Sequence, residues 1–304
     1  MNRAGFISSH LAAALAICLA LIAPINAQQT SSAAGTGTSV NVKTSPGTTI
    51  WLDGLRYGNV PASGELTIRN LRGGTHSLRA RLKGKQEVTQ TVTLITGTQR
   101  AIRIPLAVPA GEAELHFQNA EESRERADHA AAIEEYRQAI KLHGGSYSAA
   151  RVGLARSLMA KEEYEDAIAE ARRAVHDARK PFPEAQTVIA NTKRAQGLYD
   201  EALAGYRTAL LQAHDFSPEA HTGVALTYEE LNQSENAIKH FRIAAAQSNG
   251  TEPVIYFLLG GLLQHEQRTK EAIEAYENYL KLEPQGKSAG AVRSLLTQLR
   301  RELQ

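Results

Sequence analysis

Residues 199–209 read Tyr-Asp-Glu-Ala-Leu-Ala-Gly-Tyr-Arg-Thr-Ala, and within them Ala202-Leu203, Tyr206 and Ala209 carry the pattern that decides the fold. The same pattern returns at a constant spacing of 35 residues: Ala132-Ile133, Tyr136, Ala139; Ala167-Ile168, Ala171, Ala174; Ala237-Ile238, Phe241, Ala244; Ala272-Ile273, Tyr276, Tyr279. Apolar positions three and four residues apart line one face of a helix. A repeat of this period is one supersecondary unit that cannot bury its apolar face alone, so neighbours stack into a continuous core. The C-terminal two-thirds is therefore expected to be an all-α solenoid, whose stacking leaves an extended concave surface suited to binding.

Ahead of each recurrence after the first lies a second apolar segment with a small residue: Leu154-Ala155, Ile189-Ala190, Val224-Ala225 and Leu259-Gly260. Small side chains let the two helices of a hairpin approach closely. Together these residues resemble tetratricopeptide repeats (TPRs), with five units over residues 113–284. The first unit is irregular, with Asn119-Ala120 in place of an apolar-small pair, as expected of a terminal repeat. Pro183-Glu184, Pro218-Glu219 and Pro253 are placed to open their units, with Ser217 as an N-cap. The unit is one residue longer than is usual in the family, and turns between units tolerate the addition best.

The resemblance implies that the first helices line the groove. The expected exposed groove positions are Val152, Arg156 and Met159; Thr187, Asn191 and Arg194; Thr222, Leu226 and Glu229; and Phe257 and Gln264. Arg156, Asn191 and Arg194 together suit a peptide carboxylate. The plainer reading is that they are solvated residues that keep an exposed helix soluble. Glu219, Glu229 and Glu230 make the next unit acidic, so a partner of mixed charge is expected.

Residues 285–304 form an amphipathic helix, with Val292, Leu295, Leu296, Leu299 and Leu303 on one stripe and Arg293, Arg300 and Arg301 off it. Such a helix either caps the last apolar face of the solenoid or lies on a membrane surface. The apolar run Val254 to Leu263 is too short to span a bilayer.

From residue 39 to residue 108 the period changes to two. Val40 and Val42, Ile50 and Leu52, Leu66 and Ile68, Leu78, Ala80 and Leu82, Val88, Val92 and Leu94, and Ile102 and Ile104 alternate with largely polar neighbours. Turn-forming sequences such as Asp53-Gly54, Gly73-Gly74 and Thr96-Gly97 separate the runs. Six or seven short strands predict a small antiparallel β-sandwich. Gly47 to Gly54, Tyr57-Gly58-Asn59-Val60-Pro61 and Leu71 to Leu78 resemble the PEGA domain family, in which Asp-Gly closes a hairpin and Gly-x-His-x-Leu starts a strand. The naming tetrapeptide is not kept, since Ser45-Pro46-Gly47-Thr48 stands there with only its glycine in common. His76 has no metal-ligand spacing around it, so the family's structural role is expected. Trp51, the only tryptophan, points opposite to Ile50 and Leu52, and reads either as packing or as a contact surface. Leu106 to Glu112, with Pro109 and Gly111, marks the boundary between the modules.

Residues 1–27 combine Arg3, the apolar run Leu11 to Ala23 and a small residue at Ala27, the pattern of a secretory signal peptide; an uncleaved anchor is the alternative. Residues 28–38 are rich in Ser, Thr, Ala and Gly and read as a flexible linker. Cys18 is the only cysteine and would be removed, leaving no disulfide or thiolate site. Ile17 before it departs from the lipoprotein pattern. The net charge of +2 over 304 residues is too small to predict binding to nucleic acid or anionic membranes.

No nucleophile elbow, phosphate-binding loop or His-Glu-x-x-His motif is present, and the histidines form no ligand-like spacing, so neither catalysis nor a cofactor is expected. The expected function is an exported, periplasmic or cell-surface adaptor of a bacterial envelope, gripping a protein or peptide in the groove. One alternative is glycan or peptidoglycan binding through the β module, with Trp51 in contact. Another is an enzyme with a dispersed site.

Overall fold

The computed structural model describes residues 37–303; the expected signal peptide and nearly all of the expected linker lie outside them. Seven strands come first: β1 Thr38–Lys43, β2 Thr49–Leu52, β3 Leu55–Asn59, β4 Glu65–Leu71, β5 Gly74–Arg81, β6 Val88–Leu94 and β7 Gln99–Arg103. They form two sheets, ordered β4-β1-β7 and β3-β2-β5-β6. Val40, Val42, Ile50, Leu52, Ile68, Leu78, Ala80, Val92 and Leu94 are buried between them, as the alternation requires. One pairing departs from the antiparallel expectation, because β1 and β7 run parallel. Parallel neighbours need a long crossover, and here the five intervening strands supply it. Thr38, expected at the end of the linker, already belongs to β1, where its Oγ1 accepts from the Gly97 amide at 2.8 Å.

Asp53 and Gly54 both take left-handed backbone, with φ of 52° and 82°. This is the two-residue hairpin turn whose twist matches its strands. The Asp53 carboxylate pairs with His76 Nδ1 at 2.6 Å and accepts the Ser77 amide at 2.8 Å, while His76 Nε2 lies 3.0 Å from the Arg72 carbonyl. His76 is thus a structural clamp tying the β2–β3 turn to the start of β5.

Eleven helices follow among the described residues: α1 Glu112–Glu125, α2 His129–Leu142, α3 Ser148–Ala160, α4 Tyr164–Ala178, α5 Pro183–Ala195, α6 Tyr199–Gln212, α7 Pro218–Glu230, α8 Ser234–Ser248, α9 Pro253–His265, α10 Thr269–Leu282 and α11 Ala289–Glu302. They pair as five hairpins and a final helix. The signature alanines 132, 167, 202, 237 and 272 are all fully buried. Within each hairpin the turn repeats one geometry, with left-handed backbone at Ala127, Glu162, Gly197, Asn232 and Gln267. The amide one residue later reaches back to a first-helix carbonyl, as from Asp128 to Ser123 and from Arg268 to Leu263. Pro183, Pro218 and Pro253 each begin a helix, and Ser217 Oγ accepts from the Ala220 amide at 3.2 Å.

Packing between the first four units alternates between two solutions. The rings of Tyr136 and Tyr206 lie where Gly153 and Gly223 of the next first helix would carry a Cβ, at 2.2 and 2.4 Å. In the intervening unit Ala171 leaves room, and Val188 takes the place of the glycine. α11 closes the stack with Ala289, Val292, Leu296 and Leu299 buried against the last unit, while Arg300 pairs with Glu277 at 2.7 Å. Its apolar face is thereby used in capping. Leu303, expected on that stripe, is 48% exposed beyond the helix end. No helix among the described residues is long and apolar enough to cross a membrane.

Candidate functional site

The first helices α3, α5, α7 and α9 line the concave side, and the expected site residues divide by their position on them. Val152 and Thr187 are buried, at 3% and 1% exposure, against the expectation of an open groove. Val152 packs among Ala185, Val188 and Ile189, and Thr187 Oγ1 donates to the Pro183 carbonyl at 2.9 Å. The equivalent Thr222 is half-buried and donates to Pro218 at 2.8 Å, and Phe257 packs its ring 5.8 Å from that of Tyr279. Packing covers this position fully in the second and third units and in part in the fourth and fifth. Met159 and Leu226 are likewise half-buried against the apolar core. Gln264 accepts from the Tyr276 hydroxyl at 3.1 Å. Glu229 is half-buried, and burial together with Glu230 holds its carboxyl above the usual range.

Arg156, Asn191 and Arg194 do converge, on carboxylates and a hydroxyl of the chain itself. Arg156 binds Glu219 at 2.8 Å and Glu184 at 3.4 Å, so its guanidinium links α3 to α5 and α7. Asn191 donates to Glu219 at 3.2 Å and accepts from the Tyr206 hydroxyl at 2.6 Å, a hydroxyl within electrostatic reach of Arg194. The chemistry expected to grip a peptide carboxylate is therefore present and holds Glu219. Although the Glu219 side chain stays 43% exposed, desolvation raises its carboxyl above the ordinary value, with Arg156 opposing.

The groove extends onto the β module. In the first unit Glu121 occupies the position equivalent to Arg156 and binds Arg124 at 3.2 Å, Arg81 of β5 at 3.4 Å and the Tyr136 hydroxyl. Although burial opposes its charge, Arg124 and Arg81 hold the Glu121 carboxyl well below the usual range. Arg156 feels Arg124 and Glu121, Glu252 feels Glu219, and Arg56 of β3 acts back on Glu252. Charges of the two modules thus answer each other at Arg81 with Glu121 and at Arg56 with Glu252. Between these strands lies β2, where Trp51 pairs in register with Arg56 and Arg79.

Trp51 does project away from the sandwich core, and it is still only 9% exposed. Arg79 covers its ring at 4.3 Å, and the Arg81 guanidinium sits 5.1 Å from Trp51 and 4.7 Å from the Phe117 ring of α1. The contact surface marked by the aromatic is therefore occupied by the protein's own side chains. The joint between the modules is braced as well. Gln118 accepts the Gly84 amide and donates to the Lys85 carbonyl, both at 2.9 Å, and the Gln86 amide bonds Val108.

Periodicity does not single out Arg81, Phe117 or Glu252 as interface residues, yet the sequence does carry a signal for this interface. Residues 38–108 carry ten Lys and Arg against three Asp and Glu, a net +7, while residues 109–304 carry twenty-three against twenty-nine, a net −6. The whole-chain charge of +2 conceals that opposition. The histidines also prove less scattered than their spacing suggests, since His221 and His240 bring their Nδ1 atoms within 3.0 Å. No group of three or more potential metal ligands forms among the described residues.

Stacked helical hairpins of constant length, with variable polar residues on the concave side, define a repeat solenoid built for recognition. The helical part of this chain is a tetratricopeptide-repeat solenoid: models of the tetratricopeptide repeat match residues 123–192, 187–252 and 253–285. Its fold is similar to that of TTC0263, a thermophilic TPR protein in Thermus thermophilus, at 18% identity and a TM-score of 0.53, over 62% of this chain and 98% of that one. It is also similar to a chain of the APC/C hetero-tetramer Cut9-Hcn1, at 14% identity and a TM-score of 0.51, over 62% of this chain and 36% of that one. No curated protein matches the chain.

Proposed function

We propose that this protein is a non-catalytic interaction scaffold, exported to the bacterial cell envelope, that holds a protein or peptide partner in the groove of its TPR solenoid. The observation that carries the reading is the contrast between two classes of position. Packing residues repeat every 35 positions, whereas the equivalent groove residues change chemistry from Glu121 to Arg156, Asn191 and Leu226. Varied chemistry on the concave side of a repeated framework is what a recognition surface requires.

The β module is read as PEGA-like, which the Asp53–His76 clamp supports by placing the family's Asp-Gly turn and His-containing strand together. Export rests on residues 1–27, which lie outside the described structure. The covering of Trp51 by Arg79 and Arg81 weakens one of the two features that favour glycan binding through the β module, the other being its PEGA resemblance.

The test is affinity capture from a native envelope extract with residues 28–304 as bait, against a variant carrying Arg156→Ala and Asn191→Ala with unchanged helical circular dichroism. A protein retained by the parent and lost by the variant is the expected result. Equal retention by both would remove the groove as the site.

A further inference from the structure

The two modules meet at both ends of the repeat arc. At the first unit lie the Trp51–Arg81–Phe117 stack and the braced joint already described. At the far end the Asn249 carboxamide, in the loop before α9, donates to the Tyr57 hydroxyl and to the Arg69 carbonyl, both at 3.1 Å. Nearby, the Arg72 guanidinium lies over the Phe216 ring at 4.9 Å, and Arg56 stands within electrostatic reach of Glu252. Residues 180 and 192 positions apart in sequence are thus joined across the arc. The near end is fixed by many contacts and the far end by few. Opposite net charges on the two modules favour the closed arrangement.

We propose that the β module is the groove's own occupant in cis, hinged at the first repeat and latched at the fourth and fifth, so that a partner gains the groove only by displacing it. This rests on the groove-binding reading above and adds its regulation. The displaced contacts define the competitor: it must set a cation of its own near Glu252 in place of Arg56, and another over Phe216 in place of Arg72. An extended segment carrying Arg or Lys has that chemistry. A ligand that must open a closed state binds more weakly by the fraction of open molecules, so tightening or loosening the latch shifts affinity without changing the groove.

The mature chain, residues 28–304, lacks cysteine, so single engineered pairs report cleanly. One form carries Arg72→Cys and Phe216→Cys joined by a short bismaleimide, which locks the latch. Another carries Asn249→Ala and Phe216→Ala, which opens it. Spin-label distances between the modules are measured on each, together with binding of a fluorescent Arg-Gly decapeptide and of a Glu-Gly control. The expected result is a longer inter-module distance in the open form, about tenfold tighter binding of the cationic peptide by it and about tenfold weaker binding by the locked form, relative to the parent. Measurable and equal affinity in all three forms, or an unchanged distance in the open variant, overturns the proposal. A longer distance with no peptide bound by any form supports the latch and instead sinks the groove-binding reading.

Discussion

The Tyr206 ring stands 2.4 Å from the point at which Gly223 would carry a Cβ, so the residue that fills one repeat dictates glycine in the next. The neighbour is a rigid aromatic, fully buried and held through its hydroxyl by Asn191. It cannot swing aside as the end of a flexible chain would. Gly223→Ala is therefore expected to destabilise the solenoid by about 1–3 kcal/mol, the usual cost of overpacking, even though alanine is the better helix former. Urea unfolding followed by circular dichroism measures it. Combining Gly223→Ala with Tyr206→Leu should cost less than the sum of the two single changes.

The hairpin turns offer the opposite sign. Ala127, Glu162 and Gln267 hold left-handed backbone with φ near that of Gly197 in the equivalent turn. A side chain there costs roughly 1 kcal/mol that glycine avoids. Glu162→Gly and Gln267→Gly are expected to raise the unfolding midpoint, each adding several tenths to about 1 kcal/mol to the unfolding free energy. A fall in midpoint for either would show that its side chain makes a compensating contact.

Glu252 gives a pH dependence with a definite direction. Burial and the neighbouring Glu219 push its carboxyl up to about 7, with Arg56 opposing, from 4.5 in the unfolded chain. Between those values the folded state holds a proton that the unfolded state releases, so this group's stabilising contribution is full below the lower value and is lost as pH rises to about 7. Glu252→Gln should flatten that slope and raise stability at pH 8 by about 1–2 kcal/mol. Unfolding free energies of parent and variant at pH 5 and pH 8 decide it, and equal differences at both would refute the assignment.

Trp51 is the only tryptophan, so its emission reports on the interface directly. Arg81 packs between Trp51 and Phe117 and binds Glu87 at 2.7 Å and Glu121 at 3.4 Å. Arg81→Ala is expected to shift Trp51 emission to longer wavelength and leave the Glu121 carboxylate with one cation fewer. Arg81→Lys should recover the emission only in part, because an ammonium lacks the planar face that stacks between two rings. An unchanged spectrum in Arg81→Ala would mean that Arg79 alone shields the indole.

Export is tested by the mature N-terminus. Expression in a bacterial host with an intact secretion pathway should give a chain that begins at Gln28 in the periplasmic or extracellular fraction. An unprocessed N-terminus in the membrane fraction would favour the uncleaved anchor.

Much of this architecture is legible in the sequence because it depends on local period. Alternation at Val40 and Val42 or Ile50 and Leu52 assigns a buried face, and Asp53-Gly54 assigns the turn that joins β2 to β3. A pattern repeated every 35 residues assigns hairpins, their packing alanines and the prolines that open them. Burial between adjacent units is less legible. Val152 and Thr187 sit on the groove helices at positions that resemble exposed ones in helical period, and only the close approach of α3, α5 and α7 covers them.

The residues of the site are more legible than their partners. Arg156 and Asn191 lie 35 residues apart at equivalent positions, so periodicity alone brings them to the same side. That Glu219 satisfies both depends on the curvature with which the units stack. Likewise, the outward direction of Trp51 follows from strand alternation, whereas its partners Arg81 and Phe117 come from strands and helices whose mutual placement no local period encodes.

The sequence by itself determined the two modules, the number of repeats and the faces that each helix and strand must bury, because these follow from short-range periodicity and from apolar area that has to leave water. The tertiary structure alone decided that the modules meet, that Asn249 reaches Tyr57 across 192 residues, and that the charges of the groove are answered within the chain. Those outcomes depend on small rotations between successive units summed over the whole arc. Such rotations are set by how side chains such as Tyr206 and Gly223 pack, and they leave no signature at any fixed spacing.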